Sequence, residues 1–172
     1  FTELPDYIRD PTSLAALVDE RSSLRNRFAA VEPPFFISSQ DDVPTIEELE
    51  ATAATATRVE AANPGDVLTG DAGASGLARG RARIIHDPAD AGSLEPGDVL
   101  VAPITDPAWT PLFLPAAAVV VNVGALMSHA VIVARELAIP CVIALEGATD
   151  LIPDGAMIEV DGTAGTVTLI ET

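Results

Sequence analysis

His129 is the residue of this sequence best placed to do chemistry. It ends the run Val121-Asn122-Val123-Gly124-Ala125-Leu126-Met127-Ser128-His129, and the stretch Ala130–Leu137 that follows has helical periodicity. A buried strand therefore turns through Gly124 and enters a helix whose first turn holds a Ser-His pair. That position is the rim of a sheet, where ligands sit in open α/β architectures. Helix N-termini carry unpaired N–H groups and a positive partial charge, which favour a bound anion. A histidine there is disfavoured as a cation but well placed as a neutral nucleophile. A phosphoryl group on its ring could accept those N–H bonds. An ordinary imidazole, with a pKa of about 6.5, keeps one ring nitrogen free near neutral pH. The P–N bond it forms is weak, so the group can pass on to an oxygen acceptor. Spacing alone leaves a second reading equally open, in which His129 caps the helix or fills space.

The other candidates weigh less. His86 follows a strand and precedes Asp87-Pro88, which reads as a turn histidine. Arg79, Arg81 and Arg83 alternate and so share one strand face, solvated by default. Arg135 lies six residues past His129, on a different side of the helix. It is expected to meet a carboxylate or a partner domain and not the phosphoryl group. Trp109 reads as a core or interface aromatic. Asp106 has no second carboxylate at ligand spacing, so no metal site is expected. Cys141, the single cysteine, excludes an internal disulfide and reads as a small core residue.

Composition sets the outer bounds. The chain has 172 residues, is 48% apolar and carries a formal net charge of −17. Such a surface repels nucleic-acid phosphates and anionic membranes, so neither is an expected partner. All basic residues are arginine, and without lysine no Schiff base, biotinyl or lipoyl attachment is possible. No apolar run is long enough to span a bilayer and no signal peptide opens the chain, so a soluble cytoplasmic protein is expected.

Three textures follow one another. Residues 1–30 are helical in pattern, started by Pro11-Thr12-Ser13, with Leu17, Val18, Leu24 and Phe28 on one stripe. Residues 31–67 read as loop, with Glu47–Glu60 an acidic surface helix or linker. From Leu68 strands dominate: Gly80–Ile85, Asp98–Ala102, the apolar run Ala116–Val121, Cys141–Leu145, Met157–Val160 and Gly165–Ile170. With one helix among them, the class is mixed α/β. The expected division is a helical segment and acidic linker over 1–67 and a strand-rich domain over 68–172.

The span Gly124-Ala125-Leu126-Met127-Ser128-His129-Ala130-Val131-Ile132-Val133-Ala134-Arg135-Glu136-Leu137-Ala138-Ile139-Pro140 resembles the phosphohistidine signature of the phosphoenolpyruvate-utilising enzymes. That signature is roughly Gly-Gly-x-Thr-Ser-His-x-x-Ile-x-Ala-Arg-x-x-Gly-Ile-Pro. Members include phosphoenolpyruvate synthase, pyruvate phosphate dikinase and rifamycin phosphotransferase. Gly76–Ile84, Thr105–Phe113 and Val160–Val167 are similar to further pieces of the same mobile domain. Pro33-Pro34-Phe35-Phe36 resembles the segment that precedes it in the rifamycin phosphotransferase arrangement. Three departures stand out: Ala125 for the second Gly, Met127 for Thr, and Ala138 for the Gly before Ile-Pro.

The resemblance implies a swivelling β/β/α domain with a mixed, barrel-like sheet and short helices, after an N-terminal helical segment. It implies that His129 is phosphorylated, with Gly124, Ala125, Met127, Ser128 and Ala130 around the phosphoryl group. Arg79, Arg81 and Arg135 become candidates for docking to other domains. It also implies that ATP and Mg²⁺ bind an ATP-grasp partner domain, in the same chain or a separate subunit, and that an acceptor-binding domain discharges the carrier. The final acceptor stays open: pyruvate, an antibiotic hydroxyl or another alcohol. Met127 cannot supply the hydroxyl of the usual Thr, which weakens the case for pyruvate. The rival reading is a non-catalytic docking or regulatory module that keeps the swivel fold.

Overall fold

A computed structural model describes residues 15–31, 43–55 and 60–171. The helix start at Pro11-Thr12-Ser13 and the Pro33–Phe36 segment lie outside these residues. The chain divides into two compact units, Phe1–Arg58 and Val59–Thr172.

In the first unit, α1 spans Ala15–Ala29 and α2 spans Ile46–Thr55. The apolar stripe expected on α1 finds no cover among the described residues: Val18, Leu24 and Phe28 are exposed. Within the expected loop of residues 31–67, the acidic stretch read as surface helix or linker forms α2, whose start is a capping box. The Thr45 Oγ accepts from the Glu48 N–H, and the Glu48 carboxylate accepts from the Thr45 N–H at 2.8 Å. Ile46 and Leu49, one turn apart, are buried. Arg27 of α1 holds Glu50 and Glu47 of α2 at 2.7 and 3.0 Å.

The second unit is built on one eight-stranded mixed sheet, ordered β1-β8-β7-β3-β4-β5-β6-β2. The strands are β1 (Val67–Thr69), β2 (Asp71–Ala74), β3 (Leu77–Ile84), β4 (Val99–Ala102), β5 (Ala118–Val121), β6 (Cys141–Ile143), β7 (Met157–Asp161) and β8 (Thr166–Glu171). β3, β4, β5 and β6 run parallel, and β2, β7, β8 and β1 pair antiparallel on either side. The outermost strands β1 and β2 are consecutive in the chain, with only Gly70 between them.

Parallel strands covered on both faces need unbroken apolar runs, and β4 and β5 have them. Val99, Val101, Ala118, Val120 and Val142 face one buried cluster, shared with Ile158, Val160, Val167 and Leu169. Their neighbours Leu100, Ala102, Val119, Val121, Cys141 and Ile143 face a second cluster on the opposite side. Helix α4 (His129–Leu137) covers this second face with Ala130, Val131 and Ala134, which lie on one helical side. Two 3₁₀ turns, η1 (Pro88–Ser93) and η2 (Pro107–Trp109), precede the short helix α3 (Thr110–Phe113), and η2 and α3 add Trp109 and Phe113 to the same cluster. Cys141 is fully buried there, and burial pushes its thiol up to about 12. No helix among the described residues is long and apolar enough to cross a membrane.

Candidate active site

Two connections at the carboxyl ends of β4 and β5 build the site. After β4, Asp106 caps η2, its carboxylate accepting from the Ala108 N–H at 2.8 Å, with Pro107 in the first position. That carboxylate thus has a local structural task. The turn leads straight into α3 and sets Thr105, Thr110 and Phe113 in one place. After β5, Asn122 ties the strand end to Thr149 of helix α5 (Ala148–Leu151) by two hydrogen bonds, of 2.9 and 3.1 Å. Gly124 lets the loop lie against β6, since a Cβ there would stand 3.0 Å from the Ile143 Cβ. The Ser128 N–H then closes a turn on the Ala125 carbonyl at 2.8 Å, and α4 begins.

His129 is the first residue of α4, and its ring is held between the two connections. Nδ1 is 3.0 Å from Thr105 Oγ1 and Nε2 is 3.2 Å from Thr110 Oγ1. Phe113 meets the imidazole edge-on, with ring centroids 5.7 Å apart. Thr105 is buried and Thr110 exposed, so Nδ1 faces inward and Nε2 faces the surface. Burial holds the imidazole below the usual histidine range, and the Asp106 carboxylate pulls weakly the other way. The neutral ring is therefore the favoured form.

Ser128 occupies the N-cap position in extended conformation, at φ −72° and ψ 161°, yet its hydroxyl makes no cap bond. Its Oγ is shielded from solvent and has no hydrogen-bond partner among the described residues. An unpaired buried hydroxyl costs on the order of 1–3 kcal/mol. The first turn of α4 thus offers N–H groups without a side-chain acceptor, beside a reactive ring and an unpaired hydroxyl.

The remaining candidates scatter. Ala125 and Met127 are exposed in the loop, while the Ala130 side chain is buried against the sheet, leaving only its backbone N–H near the ring. Arg135 donates from Nε to the Gly73 carbonyl at 3.1 Å and meets no carboxylate among the described residues. Arg79 pairs with Glu159 of β7, and Arg83 is half-buried against Asp98 at 3.1 Å. Arg81 is exposed, and His86 lies exposed after β3. No group of three or more His, Cys, Asp or Glu side chains among the described residues could hold a metal ion.

Sequence reasoning singled out His129 and Ser128 but passed over Thr105, Thr110 and Phe113 as partners of the ring. Asp106-Pro107, an N-cap followed by proline, was the available signal that the preceding loop turns back sharply.

Residues 94–165 match the family described as PEP-utilising enzyme, mobile domain. The chain is 40% identical over 153 residues to chondramide synthase cmdD of Chondromyces crocatus, covering 87% of this chain and 4% of that protein. It is 35% identical over 165 residues to rifampicin phosphotransferase of Bacillus subtilis, covering 96% of this chain and 18% of that protein. It thus spans a small part of these relatives' length. Among solved structures, a chain of Thermococcus kodakaraensis aconitase X shares the fold with a TM-score of 0.50 and 17% identity, over 62% of this chain and all (100%) of that one.

Proposed function

Residues 94–165 belong to the mobile-domain family of the PEP-utilising enzymes, and from that premise we propose that this chain carries a phosphoryl group on His129. It takes the group at an ATP-grasp nucleotide-binding domain and delivers it at an acceptor-binding domain, in the same protein or a partner subunit. ATP and Mg²⁺ belong to the nucleotide-binding domain, and Mg²⁺ there neutralises charge on the phosphates. The observation that carries the reading is the pairing of a neutral imidazole with an uncapped helix start and the unpaired Ser128 hydroxyl.

Nε2 is the attacking atom in this reading. In it Nδ1 carries the ring proton and donates to Thr105 Oγ1 at 3.0 Å, which leaves the Nε2 lone pair outward. Thr110 Oγ1 lies 2.9 Å from the Pro107 carbonyl as well as 3.2 Å from Nε2. Its single proton can turn to Pro107, which frees Nε2 without stranding the hydroxyl. The N–P bond then forms as the donor's P–O bond breaks, and that electron pair leaves on the donor oxygen. The ring gains positive charge, which the Nδ1–H···Thr105 bond spreads. Discharge reverses this: the acceptor oxygen bonds phosphorus as the P–N bond breaks, the P–N electrons return to Nε2, and the acceptor hydroxyl's proton passes to the acceptor domain.

A barrel-like closure of the sheet is part of the same reading, within a strand-rich unit that begins at Val59, ahead of β1. Closure is supported by the single residue between β1 and β2, and by Gly165 of the β7–β8 turn accepting from the Gly70 N–H at 2.9 Å. Arg79, Arg81 and Arg135 are the proposed docking cations, Arg79 in its pair with Glu159.

The test is labelling of the full-length protein with ATP labelled on both its β- and γ-phosphates. Acid-labile, base-stable label that disappears in His129→Ala is expected. Label that survives this substitution, or none in the presence of an active nucleotide-binding domain, refutes the reading.

A further inference from the structure

We propose that Arg135 is a positioning residue: its Nε hydrogen bond to the Gly73 carbonyl fixes where α4 sits along β2, and so holds the His129 imidazole between Thr105 and Thr110. The effect on phosphoryl transfer rests on the carrier reading, whereas the placement of the ring does not.

Gly73 is the saddle on which the helix rests. β2 is bulged there, with Ala72 paired to Val142 and Ala74 to Cys141, so Gly73 has no residue opposite it in β6. It is buried, and a Cβ on it would stand 2.9 Å from the Cys141 carbonyl oxygen and 3.1 Å from Val131 Cγ2. Val131 and Arg135 are one turn apart on the same side of α4. The first packs against Gly73 with its methyl, and the second donates to the Gly73 carbonyl from Nε at 3.1 Å.

Little else among the described residues sets the position of α4 along its own axis. Its buried residues are Ala130, Val131 and Ala134, small side chains that form low ridges against the sheet. Its start is not pinned by a cap, because the Ser128 hydroxyl makes no cap bond. Among the described residues, the Arg135 bond is the one side-chain hydrogen bond of α4 apart from those of the His129 ring. The ring's partners come from a different connection, after β4, so the ring meets them only where α4 is correctly seated. The Nε2 contact, at 3.2 Å, is already at the long end for a hydrogen bond. A slide of α4 by a fraction of its rise of about 1.5 Å per residue would break it.

Docking would use the charge of Arg135, and positioning uses Nε, so two substitutions separate them. Glutamine has no charge but carries an N–H donor the same number of bonds from the backbone as Nε. Lysine keeps the charge and has a methylene at that place. Gly73, Ser75 and Arg135 line a cavity of about 360 Å³, where water can take up both a lysine ammonium and the released Gly73 carbonyl. Loss of the bond should therefore move the ring more than it lowers stability.

The chain has two histidines, His86 and His129, so its ring nitrogen resonances are assigned with His86→Gln. Arg135 is exposed, and a urea curve checks that each variant is fully folded in the absence of urea. In Arg135→Lys the His129 nitrogens are expected to shift and their pH midpoint to rise toward 6.5, as the ring leaves its buried place. Loading of the full-length protein from ATP labelled on its β- and γ-phosphates is expected to fall about tenfold. Arg135→Gln should keep both at the wild-type level. The proposal is overturned if Arg135→Lys behaves as the wild type while Arg135→Gln loses loading, which leaves docking charge alone. It is also overturned if neither variant moves the ring, or if both move it alike. Label on the wild type with an unmoved ring in Arg135→Lys sinks positioning and leaves the carrier reading standing. A ring moved in Arg135→Lys and kept in Arg135→Gln, with no label on the wild type, supports positioning and sinks the carrier reading.

Discussion

A histidine that accepts a phosphoryl group must present a lone pair, so the pH at which it protonates limits when it can work. Burial lowers the His129 value from an ordinary 6.5, against the opposing pull of Asp106. In the window just below 6.5 the unfolded chain therefore binds a proton that the folded chain resists. Stability declines as pH falls through that window and levels off below the folded pKa. An NMR titration of the His129 ring should give a midpoint below 6.5. Thr105→Val should shift it, and His129→Gln should flatten the stability slope in that window. A midpoint at or above 6.5 would contradict the buried, neutral ring. At this scale the sequence is legible for the nucleophile and opaque for its surroundings. Ser128-His129 at a strand-to-helix turn is a local pattern. Thr105 and Thr110 reach the ring from another connection, and nothing local to them marks two threonines as partners of one imidazole.

Elements are legible where a short run of residues decides the outcome. The strands from β3 to β8 and helix α4 lie within a few residues of where apolar runs and turn residues set them. The acidic, Ala/Thr-rich stretch of α2 left helix and linker both open, although Thr45 and Glu48 form a capping box that favours the helix. β1 and β2 escaped because strands of three and four residues are too short to show a period, and β2 reads Asp-Ala-Gly-Ala. The end of α4 carries a further prediction. Ala138, where the related signature has glycine, adopts φ 55° at the C-cap, with its N–H on the Ala134 and Arg135 carbonyls. The left-handed region costs a residue with Cβ roughly 1–2 kcal/mol, partly offset by the extra freedom glycine brings to the unfolded chain. Ala138→Gly should therefore stabilise the chain by about 1 kcal/mol, read as a raised urea midpoint with an unchanged slope. A destabilised variant would mean that the Ala138 methyl makes contacts outweighing its backbone conformation.

At the scale of the whole second unit, the question is what joins the two ends of the strand order. β1 and β2 lie at opposite ends of that order and are one residue apart in the chain, a relation no window of sequence contains. The β7–β8 turn bears on this join. Gly162 donates its N–H to the Gly76 carbonyl at 2.9 Å, and a Cβ on it would stand 2.0 Å from the Ala74 carbonyl oxygen and 2.8 Å from the Cys141 nitrogen. Ala74 ends β2 and Cys141 begins β6, both at the far end of the order from β8. Both contacts are backbone, so no side chain can swing aside, and the two segments have to move apart. Overpacking of this kind costs about 1–3 kcal/mol where side chains can yield, and the fixed backbone here puts Gly162→Ala at about 3 kcal/mol or more. Gly92, whose added Cβ meets nothing within 4 Å, supplies the comparison: Gly92→Ala should change the urea midpoint little. Because the join lies under α4, through Cys141 in the cluster that also holds Ala130 and Val131, Gly162→Ala should also disturb His129 at a distance. The expected signature is a lower unfolding midpoint together with a shifted His129 ring resonance, whereas Gly92→Ala moves neither. A Gly162→Ala protein as stable as the parent would mean that the β7–β8 turn can lift off β2 at no cost, and that it contributes nothing to the join.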